Sequence, residues 1–309
     1  LATRTTYETG LEKFNRTSKA VDILFNLNFI ILALLCVIPV IVVLSISLSS
    51  ENSIRETGYR LFPVAMSGEA YAFVVQQGTM ILRAFGVSAL VTVAGTVIGV
   101  LLTTTMGYAL SRPSYKLRGF LTWVVFIPMI FNGGLVSSYF INTNLLGLKD
   151  SVWALILPLA VSSFNVIICK TFFKSTIPDG LVESAEIDGA SQQRIFFSII
   201  LPISLPVIAT IGLFLCFSYW NDWFQSMLYI DNQNLYSLQA LLNSLMSNVD
   251  ALAKNAASMG VSYAVLVATM PKESARMAVA IIIVLPVAFA YPFFQKYFIS
   301  GLTIGAVKG

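Results

Sequence analysis

Histidine is absent from all 309 residues, and charged residues make up only 11% of the chain. The first absence removes the commonest metal ligand and the commonest general base. The second leaves too little polar surface for a globule in water, where a soluble domain carries about 25% charged residues. With 57% hydrophobic residues, the bilayer is the natural solvent for the excess. The three cysteines, Cys36, Cys169 and Cys216, all fall inside apolar stretches. They form no spaced pair of the zinc or redox kind and read as small buried apolar residues. No G-x-x-x-x-G-K-[ST] phosphate loop occurs, so the chain has no energy source of its own. The net charge of +4 does not argue for nucleic acid. No catalytic set, metal site or cofactor is expected within the chain.

What is present is a series of long apolar runs. A spanning helix needs about 20 mostly apolar residues, and six stretches qualify: 23–50, 84–111, part of 119–148, 151–169, 195–221 and 277–295. The expected fold is an all-α integral membrane protein with six transmembrane helices. The first run is too long, and too far along the chain, to resemble a cleaved signal peptide. Basic residues set the orientation. With a cytoplasmic N-terminus, the segments 1–22, 112–118, 170–194 and 296–309 lie inside and hold twelve of the nineteen Lys and Arg. Both termini are then cytoplasmic. The expected organisation is an N-terminal segment 1–22, a six-helix transmembrane domain 23–298 and a C-terminal tail 299–309. The long outer segments are 51–83 and 222–276, and a loop over 175–200 lies inside. Within 222–276, Leu235, Leu238, Leu242 and Leu245 recur near helical spacing. The apolar run 259–271 is too short to span and is expected at the interface or over the bundle end.

No acidic residue sits in the middle of a span. One charge at mid-bilayer costs roughly 2.5–3.5 kcal/mol on the lenient insertion scales. Proton relays accept that cost, and this chain never does. The spans carry neutral polar and aromatic groups instead, among them Asn132, Tyr139, Asn165, Tyr219, Trp220 and Asn221. Singly, each reads as an interhelical hydrogen-bonding or interfacial residue. As a set they suit a neutral, hydroxyl-rich solute. Gly95 and Gly99 form a G-x-x-x-G in the second run, a signature of close helix packing.

The stretch ESAEIDGASQQRIFFSIILPISLP, residues 183–206, departs from this pattern. Thr176 with Asp179 resembles a capping box with Pro178 in the first turn. A short helix is expected to run to Asp188, with Gly189 ending it and Ser191 capping the next helix. Pro202 and Pro206 are expected to kink the following span or set its entry angle. Membrane-surface helices are normally rich in Lys and Arg, yet residues 175–190 hold four acids and no base. An acidic surface beside an anionic leaflet is better explained as a docking site for a protein partner.

Glu183, Ala185, Gly189, Ile199, Leu201 and Pro202 match in spacing the "EAA…G…I.LP" signature of permease subunits of ATP-binding-cassette importers. Only Ser184 departs, standing at the first of the signature's two alanines. The final residues, YPFFQKYFISGLTIGAVKG, resemble the C-terminus of carbohydrate-uptake permeases related to the maltose system's second permease. NGGLVSSY (132–139) and YWNDWF (219–224) resemble further stretches of polysaccharide and oligosaccharide permeases.

The resemblance implies a type I importer permease in a bacterial cell membrane, paired with a second homologous permease and two ATPase subunits that bind ATP and Mg²⁺. An external substrate-binding protein would deliver an oligosaccharide. The loop helix, about Leu181 to Gln192, would dock on one ATPase, with Glu183 and Asp188 as polar contacts and Gly189 making the turn. The tail, including Thr303, Lys308 and Gly309, would reach the ATPases. Asn132, Tyr139, Tyr219 and Asn221 are the expected pathway residues. An ion-coupled secondary carrier, a permease for a non-sugar solute and a polytopic membrane enzyme are the alternatives. The first lacks an intramembrane coupling site, and the last lacks a catalytic set.

Overall fold

The computed structural model describes residues 19–259 and 271–306, and it is helical throughout, with no strand among the described residues. The apolar run over 260–270 lies outside them.

Two helices are long and apolar enough to cross a membrane unbroken: α1 (Lys19–Ser47) and α4 (Gly78–Ser111). Between them lie two short helices, α2 (Glu51–Thr57) and α3 (Glu69–Gln76). The third apolar run is not one helix. It divides into α5 (Arg118–Ile130) and α6 (Gly134–Phe140), the latter continuing as a π turn over Ile141–Leu145. The break is the Asn-Gly-Gly stretch. Gly134 takes φ +83°, open to a residue without Cβ, and its N–H donates to Asn132 Oδ1 at 2.8 Å. The thirteen residues of α5 extend about 20 Å, short of the roughly 30 Å hydrocarbon core.

The fourth run bends by 47° between α7 (Val152–Ala160) and α8 (Ser163–Thr176). The fifth is bent far more, by 84°, between α10 (Gln192–Ile203) and α11 (Leu205–Trp220). Pro202 and Pro206 lack the donors that would carry a helix through Ser204. The chain accommodates this with a π turn over Phe196–Ile200 and a break at Ser204. Between α8 and α10 lies α9 (Asp179–Ile187). After α11 come α12 (Phe224–Tyr229), α13 (Leu238–Met259) and α14 (Lys272–Ala306). The leucine pattern is realised one turn later than its first member. Leu238, Leu241 and Leu242 are buried in α13, whereas Leu235 precedes the helix.

α4 is the central post, packed along α7, α8 and α11. Its glycines make that approach possible. A Cβ on Gly95 would lie 2.4 Å from the Tyr219 ring, one on Gly99 2.7 Å from the Ala160 carbonyl oxygen, and one on Gly107 2.5 Å from Cys169 Cβ. The G-x-x-x-G expectation therefore holds, and Gly107 extends the stripe by two turns. At 34 residues, α4 is about 51 Å long and carries one set of loops at each end.

At its Gln77 end, Glu51 is buried and accepts from the Glu273 and Ser274 N–H groups and from Ser274 Oγ, all within 3.3 Å. This carboxylate from α2 caps the first turn of α14, where a helix favours negative charge. Ser88 Oγ accepts from Leu238 N at 2.7 Å and ties α13 to the same region. Asp150, at φ +55°, accepts from Asp231 N and Asn232 N, joining the segments around 150 and 231.

Gly99→Ala is expected to destabilise the bundle by overpacking, a cost of about 1–3 kcal/mol. It should lower the melting temperature of the detergent-solubilised protein. Gly86→Ala, where a Cβ meets open space, should leave it unchanged or slightly raised. Equal melting of the two variants would contradict the close-packing account.

Candidate functional site

The other end of α4 meets the elbow formed by α9 and α10. Thr176 is the last residue of α8 rather than an N-cap, so the expected capping box does not form. Pro178, with extended backbone, occupies the N-cap of α9. Its ring stops α8 from continuing, and its fixed φ suits the residue that opens the new helix.

The end of α9 follows the sequence closely. Asp188 is the C-cap, and Gly189 has φ +79°. The Ala190 N–H bonds the Ala185 carbonyl and the Gly189 N–H bonds the Glu186 carbonyl, both at 3.0 Å. This paired arrangement is a Schellman turn, which glycine favours because the left-handed region costs other L-residues about 1–2 kcal/mol. Ser191 then caps α10, its Oγ accepting from Arg194 N. Gln192 Nε2 donates to Glu186 Oε1 across the turn.

This geometry sorts the α9 side chains. Val182 and Ala185 are buried in a cluster with Ile177, Ile195, Phe196 and Phe173. Ala185, matched as part of the signature, packs the underside of α9 at 8% exposure. Leu181, Glu183, Glu186 and Asp188 face outward. So does Ile187, 86% exposed, which motif matching missed because an isoleucine on an amphipathic helix reads as core. Ile199 and Leu201 are partly buried against the same cluster and Pro202 is exposed, so these three shape the elbow's stem. The outward face thus combines acids with exposed Leu and Ile side chains.

The expected pathway residues do not form one group. Tyr219 is 2% exposed, and its hydroxyl donates to the Ile156 carbonyl at 2.7 Å. With its ring against Gly95, it is a packing residue in this conformation rather than a lining one. Asn221 is exposed and donates to the Phe217 carbonyl within its own helix. Asn132, by contrast, lines a cavity of about 370 Å³ between α6, α7 and α12, together with Ser138, Asn142, Gln225 and Tyr229. Asn142 Nδ2 donates to Tyr229 Oη at 3.0 Å. Tyr139 stacks on Tyr229, ring centroids 6.0 Å apart, and so braces the wall from behind. Gln225 Oε1 is buried without a hydrogen-bond partner. No charged residue lines this cavity. Just beyond it, burial pushes the Asp222 carboxyl up to about 6. Side chains of the tail are not described, and Lys308 and Gly309 lie outside the described residues. No cluster of metal-ligating residues occurs among the described residues.

Residues 95–304 match the family model of the binding-protein-dependent transport system inner membrane component. The chain is 37% identical over 288 residues to the polygalacturonan/rhamnogalacturonan transport system permease protein YtcP of Bacillus subtilis (strain 168), covering 93% of this chain and 98% of that protein. It is 28% identical over 290 residues to the arabinooligosaccharides transport system permease protein AraQ of the same organism, covering 93% and 96%. Among solved structures, it resembles a chain from a bacterial ABC transporter involved in the import of the acidic polysaccharide alginate. The TM-score is 0.75 at 27% identity, over 92% of this chain and 99% of that one. With the elbow, the glycine-packed post and matches over nearly the whole length, the chain belongs to the family of binding-protein-dependent transport system inner membrane components.

Proposed function

We propose that this chain is one permease half of an ATP-driven importer for oligosaccharides or polysaccharide fragments. The observation that carries this reading is the outward face of α9, an acidic and apolar surface exposed beside a Schellman turn. Two cytoplasmic ATPase subunits bind ATP and Mg²⁺, and one grips this face. A second homologous permease completes the pathway, and an external substrate-binding protein delivers the sugar. The names of the matched relatives support the carbohydrate class.

In this reading six spans cross the bacterial cell membrane, with both termini cytoplasmic. Three of the spans are broken or bent, at 131–133, 161–162 and 204. The segments assigned inside by their basic residues, 112–118 and 170–194, meet at the elbow. The outer ones, 51–83, 149–150 and 222–276, are joined by the Glu51 and Asp150 contacts. The tail with Thr303, Lys308 and Gly309 is assigned a role in coupling to the ATPases in the same reading. Nucleotide-driven closure of the ATPase dimer moves the docked elbow, and the packed helices follow as rigid bodies from an inward-facing to an outward-facing arrangement. The uncharged cavity beside Asn132, with Tyr139 behind it, offers amide and hydroxyl groups matched to sugar hydroxyls, and Asn221 is held as a further pathway residue.

Gly189→Ala is expected to cut uptake and ATPase association about ten-fold, the equivalent of the left-handed backbone penalty. Gly189→Asn, which tolerates that backbone, should lose much less. Because a Cβ at Gly189 meets open space, equal behaviour of the two would contradict the turn's role.

Glu183→Lys and Ile187→Ser should each reduce the ATPase recovered with the affinity-purified permease, while leaving membrane insertion intact. The loss for Glu183→Lys should also change with ionic strength, as expected for an exposed charge. Unaltered ATPase recovery for both variants would sink the docking assignment.

A further inference from the structure

Arg112 immediately follows α4, yet it is only 6% exposed. A guanidinium is rarely buried unless fully paired, and here its partners come from three elements. Nε donates to Ser111 Oγ, the last residue of α4, at 3.0 Å. Nη2 donates to the Phe173 carbonyl in the last turn of α8, at 3.0 Å. Nη1 pairs with Asp179 Oδ1, the first residue of α9, at 3.0 Å. The Tyr108 ring lies beneath, its centroid 5.4 Å from Cζ, a cation–π geometry. Both helix ends favour this placement, since a cation suits the C-terminus of α8 and an anion the N-terminus of α9.

The position matters because the covalent joint between α8 and α9 is short and extended. Only Ile177 and Pro178 separate the two helices. Pro178 fixes one torsion of this joint, but the ψ angles of Ile177 and Pro178 are not locked by the ring, so without a further tie a push on the elbow would dissipate locally. The fork of Arg112 spans the joint from the α4 side and closes it into a braced corner. Lysine cannot reproduce this, having one ammonium in place of a planar fork of donors.

We infer that Arg112 is the positioning residue that makes the α8–α9 joint rigid, so that force on the docked elbow reaches α4 and the helices packed on it. This rests on the docking reading above, but its direct test does not require the ATPase. Spin labels are placed at Glu186→Cys on α9 and Thr105→Cys on α4, in a Cys36→Ser, Cys216→Ala background; Cys169 is buried and does not take label. The interlabel distance distribution is measured by pulsed electron paramagnetic resonance in the full chain. A narrow distribution is expected with Arg112 present, broadening at least two-fold in width in Arg112→Ala, with Arg112→Lys in between. Asp179→Asn, a change at a half-exposed carboxylate that leaves the Phe173 contact in place, serves as a second variant should Arg112→Ala fail to fold, and it should also broaden.

In the reconstituted complex, sugar moved per ATP hydrolysed should fall about five-fold or more in Asp179→Asn, the lower range of a coupling free energy. Unchanged widths in both Arg112→Lys and Asp179→Asn overturn the inference, whatever the transport result. Broadened widths with unchanged transport per ATP overturn the transmission role while leaving the brace. A chain that recovers no ATPase at all defeats the docking reading instead, and the distance measurement still decides the brace.

Discussion

The left-handed backbone at Gly189 fixes where α9 stops, and everything outward of the bundle follows from that stop. Two backbone hydrogen bonds close the turn, Ser191 starts the next helix three residues after Asp188, and Gln192 reaches back to Glu186. The result is a corner whose inner side is apolar and whose outer side is acidic with two exposed aliphatic residues. Val182 and Ala185 anchor the corner to Phe173, Ile195 and Phe196. That anchoring leaves Leu181, Glu183, Glu186 and Ile187 available to a partner.

A docking surface is useful only if something stiff lies behind it. α4 supplies the stiffness through three glycines, each of which lets a neighbouring helix approach closer than any side chain allows. Protein interiors at that density have discrete arrangements rather than continuous deformations, so a displaced elbow moves a packed group of helices together. At the far end of α4, Glu51 and Asp150 hold the loops by charge and backbone hydrogen bonds. Among the described residues the buried charges Glu51 and Arg112 lie toward the ends of the bundle rather than in its middle, which suits the proposed drive from one face.

Much of this was legible in the sequence. The uncharged runs gave α1 and α4, the glycine spacing gave the contacts of Gly95 and Gly99, and the order of Gly189 and Ser191 gave the turn and the cap that follows it. Features that depend on distant residues were not. Arg112 and Asp179 are 67 positions apart, and Glu51 and Glu273 are 222 apart; neither pair has a local signature. Pro202 and Pro206 signalled a disturbance, but not a bend of 84°. Thr176 misled because a threonine three residues before an acid reads as a cap even when the preceding helix already owns it. Tyr219 misled for a different reason. A tyrosine in a span suits a pathway and a core equally, and only the bare backbone of Gly95 decides for the core.

The central claim is that the face of α9 around Ile187 is cytoplasmic and covered by a partner. Reaction of Ile187→Cys with a membrane-impermeant maleimide tests this most directly, in a Cys36→Ser background, with inside-out vesicles and intact cells compared. Rapid labelling in inside-out vesicles that lack the ATPase, none in intact cells, and strong protection once the ATPase is bound is the predicted pattern. Labelling from the cell exterior, or equal labelling with and without the ATPase, would contradict it.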